Sequence, residues 1–379
     1  MKGSDRPVSV LHVTFNLGIG GTEQVIRQLI QALPKDQFRN EVVCIDGVIG
    51  DTGHSLMEQG ITIHALARKP GFDRELVTSI RTLLRERQID LVHCHQYTPY
   101  LYGWLAAIGT QARVVFTEHG RFHPDRRRYK AMGVNPLMAL TSRAVVAISA
   151  ATRNALATYE FMPRWRTQVI YNGIAPLHRD ADAGQAVRQA LGIPEAALVF
   201  GTVSRLDPVK NQRMMLEAFA HLFHQRPEAW LLMVGDGPDR AMLESSTDEL
   251  GIRGRVVFTG FITQPAAHLN AMDVFLLSSH TEGTSMTLLE AMSLGLPSVV
   301  TGVGGNPEIV VNDATGLVTP PDDGLAFAAA MVRLADSPDL RARFGAAGKQ
   351  RFETRFSVDT MAAAYAMVYR TATAGRGGR

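Results

Sequence analysis

Cysteine is nearly missing from this chain of 379 residues: only Cys44 and Cys94 occur, and they do not form a C-x-x-C pair. A disulfide framework is thereby excluded, and a reducing compartment suits the chain. Long apolar runs are missing too. No eighteen consecutive apolar residues occur, so no membrane-spanning helix is expected. The opening stretch, residues 1–7, is polar and lacks the apolar core of a secretion signal. The expectation is a cytoplasmic protein, with the inner face of the membrane as a place it could work. Nor is there a large excess of charge of one sign. Lys plus Arg number 39 against 36 Asp plus Glu, a net charge of +3. That is too little to argue for nucleic acid, and no nucleic-acid partner is expected. It suits an anionic ligand or loose contact with an acidic membrane surface. What is there is ordinary globular composition, 46% hydrophobic and 20% charged, enough for a sizeable core. The length exceeds one comfortable doubly wound domain, so two domains are the natural reading.

Short β-rich apolar runs alternate with segments of helical period, the pattern of parallel sheets joined by βαβ crossovers. Strands are expected over 8–15, 41–45, 61–66, 90–94, 113–117, 144–148 and 167–171 in the first half. In the second half they are expected over 197–203, 229–234, 255–259, 273–277, 297–301 and 316–318. Helical pattern fills the gaps, as over 22–33, where Val25, Ile26, Leu29, Ile30 and Leu33 share a face. The polar stretch 172–194 divides the halves. The fold class is α/β, with domains at 1–175 and 190–355 and a last helix over 356–372 crossing back to the first. The Gly/Arg-rich tail 374–379 is expected to fray. In open α/β sheets ligands bind beyond the carboxyl ends of the strands, so informative residues belong directly after strands.

Three stretches meet that condition. Asn16–Leu17–Gly18–Ile19–Gly20–Gly21–Thr22 comes after the first strand and opens a helix. Glycines admit a ligand to the backbone, and helix-start N–H groups attract anions. A dinucleotide fingerprint needs glycine at position 23, where Glu23 stands. A structural turn and a phosphate or acceptor contact both stay open here. In the second stretch, 201–211, Arg205 and Lys210 flank a Pro-bearing turn. Two cations there can neutralise a diphosphate leaving group without metal, or can be solvated surface charges. The third stretch runs from Ser278 to Met292. Thr284 and Ser285 are good helix N-caps, and Glu290 lies among Leu288, Leu289, Ala291 and Met292. A carboxylate in that setting needs a partner. Eight residues separate it from Glu282, roughly 12 Å if the whole interval is helical.

The run E-G-T-S-M-T-L-L-E-A-M-S-L-G-L-P, beginning at Glu282, resembles the retaining GT-B glycosyltransferases of family 4. Gly18–Gly21, Arg205 with Lys210, Val234–Pro238 and Gly304–Glu308 match in order. The resemblance covers almost the whole chain and implies a GT-B fold, two Rossmann-like domains with parallel sheets facing across a cleft. It implies a hexosyltransferase that moves a sugar from a UDP or GDP sugar to a hydroxyl acceptor in polysaccharide or glycolipid synthesis. It also implies residue roles. Glu290 would hold the donor ribose, Arg205 and Lys210 the diphosphate, and Gly20 and Gly21 would approach it from the other domain. Glu282 with Gly283, Thr284, Ser285 and Met286 would hold the transferred sugar. Gly235, Gly260 and Phe261 would frame the base. His119, in Thr117–Glu118–His119–Gly120, would stand against the sugar near the reacting carbon. No metal and no cofactor beyond the nucleotide-sugar co-substrate are implied. Thr284–Ser285–Met286 replaces the bulkier Phe-Gly-type segment common in the family, which reshapes the sugar pocket.

Weaker signals remain. His93–Cys94–His95 tempts a metal reading, but in a strand Cys94 points away from the two histidines and no third ligand is evident in sequence. His95 is an acceptor-side candidate, as is Arg121 at the head of the basic run 121–130. That run would touch a lipid-linked or small-molecule acceptor, or an anionic membrane in peripheral association, or be a solvated loop. Two other functions use the same fold: a nucleotide-sugar epimerase or phosphorylase, and a non-catalytic nucleotide-sugar-binding protein. The former is not expected to carry the Arg205, Lys210 and Glu290 set, and the latter could dispense with His119 and Glu282.

Overall fold

The computed structural model describes residues 6–18, 20–120 and 126–374. Arg121 and most of the tail lie outside the described residues, as do Ile19 and the first half of the basic run. The chain divides into two compact units, Met1–Ala175 with Val358–Arg379, and Pro176–Ser357. Unit boundaries differ in detail from those expected. The stretch 176–190, read as connector, belongs to the second unit and contains the helix Ala181–Ala190. Gly184 in that helix lies so close to Asn270 that a Cβ would stand 2.5 Å from its carbonyl oxygen.

In the first unit seven strands form one sheet: β1 (Val8–Thr14), β2 (Phe38–Cys44), β3 (Thr62–Ala65), β4 (Leu91–His95), β5 (Arg113–Glu118), β6 (Ala144–Ala147) and β7 (Thr167–Val169). Every pairing is parallel, and the order is β3-β2-β1-β4-β5-β6-β7. Sequence placed β2 at 41–45. The strand starts earlier because buried Phe38 pairs with Val8 across the sheet. Helices cover the faces, as parallel sheets require. On one side Tyr100 from the helix Tyr97–Ala107 stacks on Phe116 at 4.0 Å, within a core of Leu11, Val92 and Val145.

The second unit holds six strands: β8 (Val199–Val203), β9 (Trp230–Val234), β10 (Val256–Gly260), β11 (Val274–Leu277), β12 (Ser298–Thr301) and β13 (Gly316–Thr319). Again all pairings are parallel, in the order β10-β9-β8-β11-β12-β13. Its core gathers Phe200, Phe219, Leu231, Phe327 and Phe344. The helix Gln212–Gln225 shows how the pattern works. Met215, Phe219 and Leu222 are buried, while Arg213 and Glu217 pair on the wet side.

Both sheets share one consequence of topology. Each chain path runs outward through three strands, then returns to the far side of the first. The order reverses between β1 and β4, and between β8 and β11. At such a reversal adjacent crossovers leave on opposite faces, and a crevice opens beyond the strand ends. Among the described residues no helix is long and apolar enough to cross a membrane.

Candidate functional site

In the second unit the reversal lies between the loops after β8 and β11. The β8 loop leaves Val203 and turns at Asp207, whose carboxylate accepts from the N–H groups of Val209 and Lys210. That turn fixes Lys210 beside the loop after β11. Ser278 Oγ ties the two loops together by donating to the carbonyls of Lys210 and Asn211. Lys210 Nζ then reaches Glu282 Oε1 at 2.6 Å, and Ser279 Oγ donates to the same oxygen at 2.7 Å. The Glu282 side chain is only 8% exposed, so the ammonium and hydroxyl compensate a carboxylate removed from water. Arg205, by contrast, is 71% exposed, 3.8 Å from Asp207. Of the two expected diphosphate-binding cations, one is thus engaged by the expected sugar-binding acid and the other reaches into solvent.

Glycines let neighbouring loops close on this pair. Gly304, at φ +52, lies so near Glu282 that a Cβ would fall 1.8 Å from its carbonyl oxygen. Gly235 and Gly237 press likewise on the carbonyls of Ser204 and Leu206. Gly235 N donates to Gly260 O at 3.0 Å, joining the ends of β9 and β10. Phe261, next in the chain, is exposed. Sequence reasoning missed Arg240, which bonds Asp236 at 3.1 Å and Glu244 at 2.9 Å and lies against Gly260.

After Glu282 the chain passes Gly283 and Thr284 to Ser285. The Ser285 hydroxyl accepts from Leu288 N and caps the helix Met286–Ser293. The helix therefore starts four residues after Glu282, and only the interval from Met286 to Glu290, about 6 Å, is helical. This corrects the span expected from sequence. Glu290 projects from the helix with Oε2 buried and without a hydrogen-bond partner. Burial pushes its pKa up to about 7. A carboxylate left so short of donors is suited to a ligand that brings hydroxyls.

In the first unit the reversal lies between β1 and β4. Gly20 precedes the helix Gly21–Ala32. A Cβ on Gly20 would stand 2.3 Å from Glu23 Oε2, so glycine makes room for the Glu23 carboxylate at the helix start. Burial raises the pKa of Glu23. Beside this turn four histidines meet. His12 on β1 and His93 on β4 are register partners, His95 lies two residues on, and His119 comes directly after β5. His12 Nε2 is 3.1 Å from Asn40 Oδ1, His12 Nδ1 is 3.1 Å from His95 Nε2, and His95 Nδ1 is 2.9 Å from His119 Nε2. His93 bonds Tyr369 Oη at 2.6 Å and Thr117 Oγ1 at 2.7 Å, and Thr117 in turn bonds Tyr365 Oη at 3.0 Å. Both tyrosines come from the last helix, Val358–Thr373.

Burial lowers the pKa of His12 to about 4 and of His119 to about 3, and holds His93 and His95 well below the ordinary histidine value. The cluster is therefore neutral near pH 7. His12, His93 and His95 lie close enough to share a metal ion, and His12 is the third ligand that sequence did not reveal. All their ring nitrogens already have partners in Asn40, Thr117, Tyr369, His119 or one another, so hydrogen bonding accounts for the group. The expectation that His95 touches an acceptor is corrected on the same ground. It is fully buried, with both nitrogens engaged. His119 differs: it is half-buried, and its Nδ1 has no partner.

Two crevice edges of this kind, one carrying glycines and a histidine and the other a lysine–glutamate pair and an orphaned carboxylate, define a nucleotide-sugar enzyme of the GT-B class. The family model for Glycosyltransferase Family 4 matches residues 19–176, and that for Glycosyl transferases group 1 matches residues 185–351. The chain belongs to these glycosyltransferases, enzymes that act on nucleotide sugars in glycolipid and polysaccharide-type synthesis. Among curated relatives, the UDP-Gal:alpha-D-GlcNAc-diphosphoundecaprenol alpha-1,3-galactosyltransferase of Escherichia coli is 26% identical over 356 residues, spanning 90% of this chain and 91% of that one. N-acetyl-alpha-D-glucosaminyl L-malate synthase of Bacillus anthracis is 26% identical over 323 residues, 82% of each chain. Among solved structures, Anabaena HepE in complex with UDP shares the fold at a TM-score of 0.84 and 22% identity, over 95% of this chain and 98% of that one.

Proposed function

We propose that this glycosyltransferase uses a nucleoside diphosphate sugar, UDP or GDP in kind, and transfers its hexose to a hydroxyl acceptor with retention and without metal. The observation that carries the reading is the meeting of Lys210 and Glu282 at the reversal between β8 and β11, with Arg205 open beside them. A diphosphate arriving there meets two cations, and Lys210 can share its charge between phosphate and Glu282. Glu290 would receive the two ribose hydroxyls, which supply the donors its buried oxygen lacks. Backbone around Gly283 to Met286 would hold the sugar with Glu282, while Gly235, Gly260 and Phe261 would frame the base. His119, with Gly20 and Gly21, would contact the donor. In the reaction the sugar C1–O bond to phosphate breaks and a C1–O bond to the acceptor forms on the same face. The acceptor proton passes to the departing phosphate oxygen.

UDP is supported by the activity of the Escherichia coli relative and by the ligand of HepE, and a lipid-linked acceptor by the same Escherichia coli relative. Peripheral membrane contact is supported by the surface around the helix Val134–Thr141. Leu137, Leu140 and Met132 are exposed there, as is Trp165, whose neighbour Arg166 bonds Ser142 O at 2.6 Å. The interval 126–143 carries Arg126, Arg127, Arg128, Lys130 and Arg143 and no acid. Such an apolar and basic surface suits anionic lipid.

A thermal-shift panel of nucleotide sugars in EDTA tests the reading. The matching donor at 100 times its Kd is expected to stabilise the chain by about 2.7 kcal/mol. Absence of any shift until a divalent ion is added would remove the metal-free mechanism.

A further inference from the structure

The histidines of the first unit form a directed chain rather than a heap. Parallel strands buried on both faces ordinarily carry apolar residues, yet β1 and β4 point His12, His93 and His95 to one face. Polar rings in such a place must be fully bonded. A neutral imidazole has one N–H and one lone pair, so each bond it makes dictates the next. With Asn40 Oδ1 facing His12 Nε2, that nitrogen carries the proton and His12 Nδ1 accepts. His95 must then donate from Nε2 and accept at Nδ1, and His119 must donate from Nε2. What remains at the far end is Nδ1 of His119, unprotonated, buried and without a partner.

We propose that Asn40, acting through His12 and His95, is a positioning residue that sets the tautomer of His119, leaving Nδ1 as an acceptor for a hydroxyl of the bound donor sugar. The sugar part of this statement rests on the function proposed above; the tautomer part does not. His93 is not in the chain. Its ring lies 4.1 Å from that of His95 and is fixed by Thr117 and by Tyr369 of the last helix, so it acts as a wall. The low pKa of every histidine in the group agrees with a relay of orientation and not of charge. A buried amide at the end of the chain serves this better than a carboxylate, since it accepts a bond without drawing a second proton into the core.

The test is long-range proton–nitrogen NMR of the full-length chain labelled at histidine nitrogens, near neutral pH, with His119 assigned through H119Q. Protonated Nε2 and bare Nδ1 are expected at His119. N40L removes the terminal acceptor and is expected to leave His119 as a mixture of tautomers. Titration with UDP-glucose and with UDP reads the consequence. N40L is expected to weaken UDP-glucose binding about tenfold, the worth of one hydrogen bond, and to leave UDP unchanged. A proton on Nδ1 of His119 in the wild-type chain overturns the proposal, even should N40L fail to fold. An unaltered His119 spectrum in folded N40L overturns it equally. If the wild-type chain binds UDP but gains nothing from the glucose, the proposed sugar contact falls while the spectra still decide the relay.

Discussion

Glu290 and the histidines show what a single side chain contributes when burial and function pull apart. The Glu290 carboxyl ionises at about 7 where 4.5 is usual, because burial disfavours its charge. A raised acid pKa gives stability that is complete below about 4.5 and is lost as pH rises through about 7. E290Q should therefore be more stable than wild type above pH 7, by roughly 3 kcal/mol, and match it near pH 4. Thermal unfolding at a series of pH values checks this; equal curves at high pH would mean the carboxylate is well solvated. The histidines have the opposite sign. Their stability is complete above about 6.5 and is lost as pH falls through about 4 and then about 3. Little of this was legible in sequence. The position of Glu290 within an apolar helix signalled a costly carboxylate, whereas His12 lay unremarked in an ordinary strand, and Asn40 marked nothing without its partners.

Among the elements, glycine contacts decide how closely the loops beyond the strands approach. Gly304 combines a left-handed backbone with contact against Glu282 O, so G304A should cost about 3 kcal/mol or more and displace Glu282 from Lys210. Denaturant unfolding measures the loss, and a cost below about 1 kcal/mol would show that the loops can separate freely. At this scale the sequence was highly readable. Strand runs rich in Val, Leu and Ile, punctuated by helical period, placed β4, β5, β9 and β11 within a residue or two. Failures came where local signals conflict with tertiary demands. Residues 181–190 look like polar linker, yet Asp180 caps them into a helix, accepting from Ala183 N, and Gly184 fits that helix onto Asn270. The start of the helix that carries Glu290 was legible, since Ser285 caps it and the helix begins at Met286, whereas the span of roughly 12 Å to Glu282 assumed helix throughout.

At the scale of the whole molecule, two sheets of the same topology place their reversal points at β1/β4 and β8/β11, and Gly20, Arg205, Lys210 and Glu282 lie in the segments that follow β1, β8 and β11. This much could be anticipated from the motifs, since glycines, cations and acids recur directly after predicted strands. What no motif conveyed is the exposed surface of Met132, Leu137, Leu140 and Trp165 with its cations, because these residues read singly as ordinary helix and loop positions. Co-sedimentation with vesicles rich in anionic lipid should retain the wild-type chain, and L137E/L140E together should release it. Equal retention of both, or none of either, would remove membrane contact from the account.

The central claim is that the cation and the acid at the second reversal grip a nucleoside diphosphate without a metal. Calorimetric titration of UDP into the wild-type chain, K210M and E290Q, all in EDTA, tests it most directly. Binding by the wild type is expected to weaken at least about tenfold in each variant, the worth of one charge-assisted hydrogen bond. Unchanged affinity in both variants, or heat of binding seen only once magnesium is restored, would contradict the account.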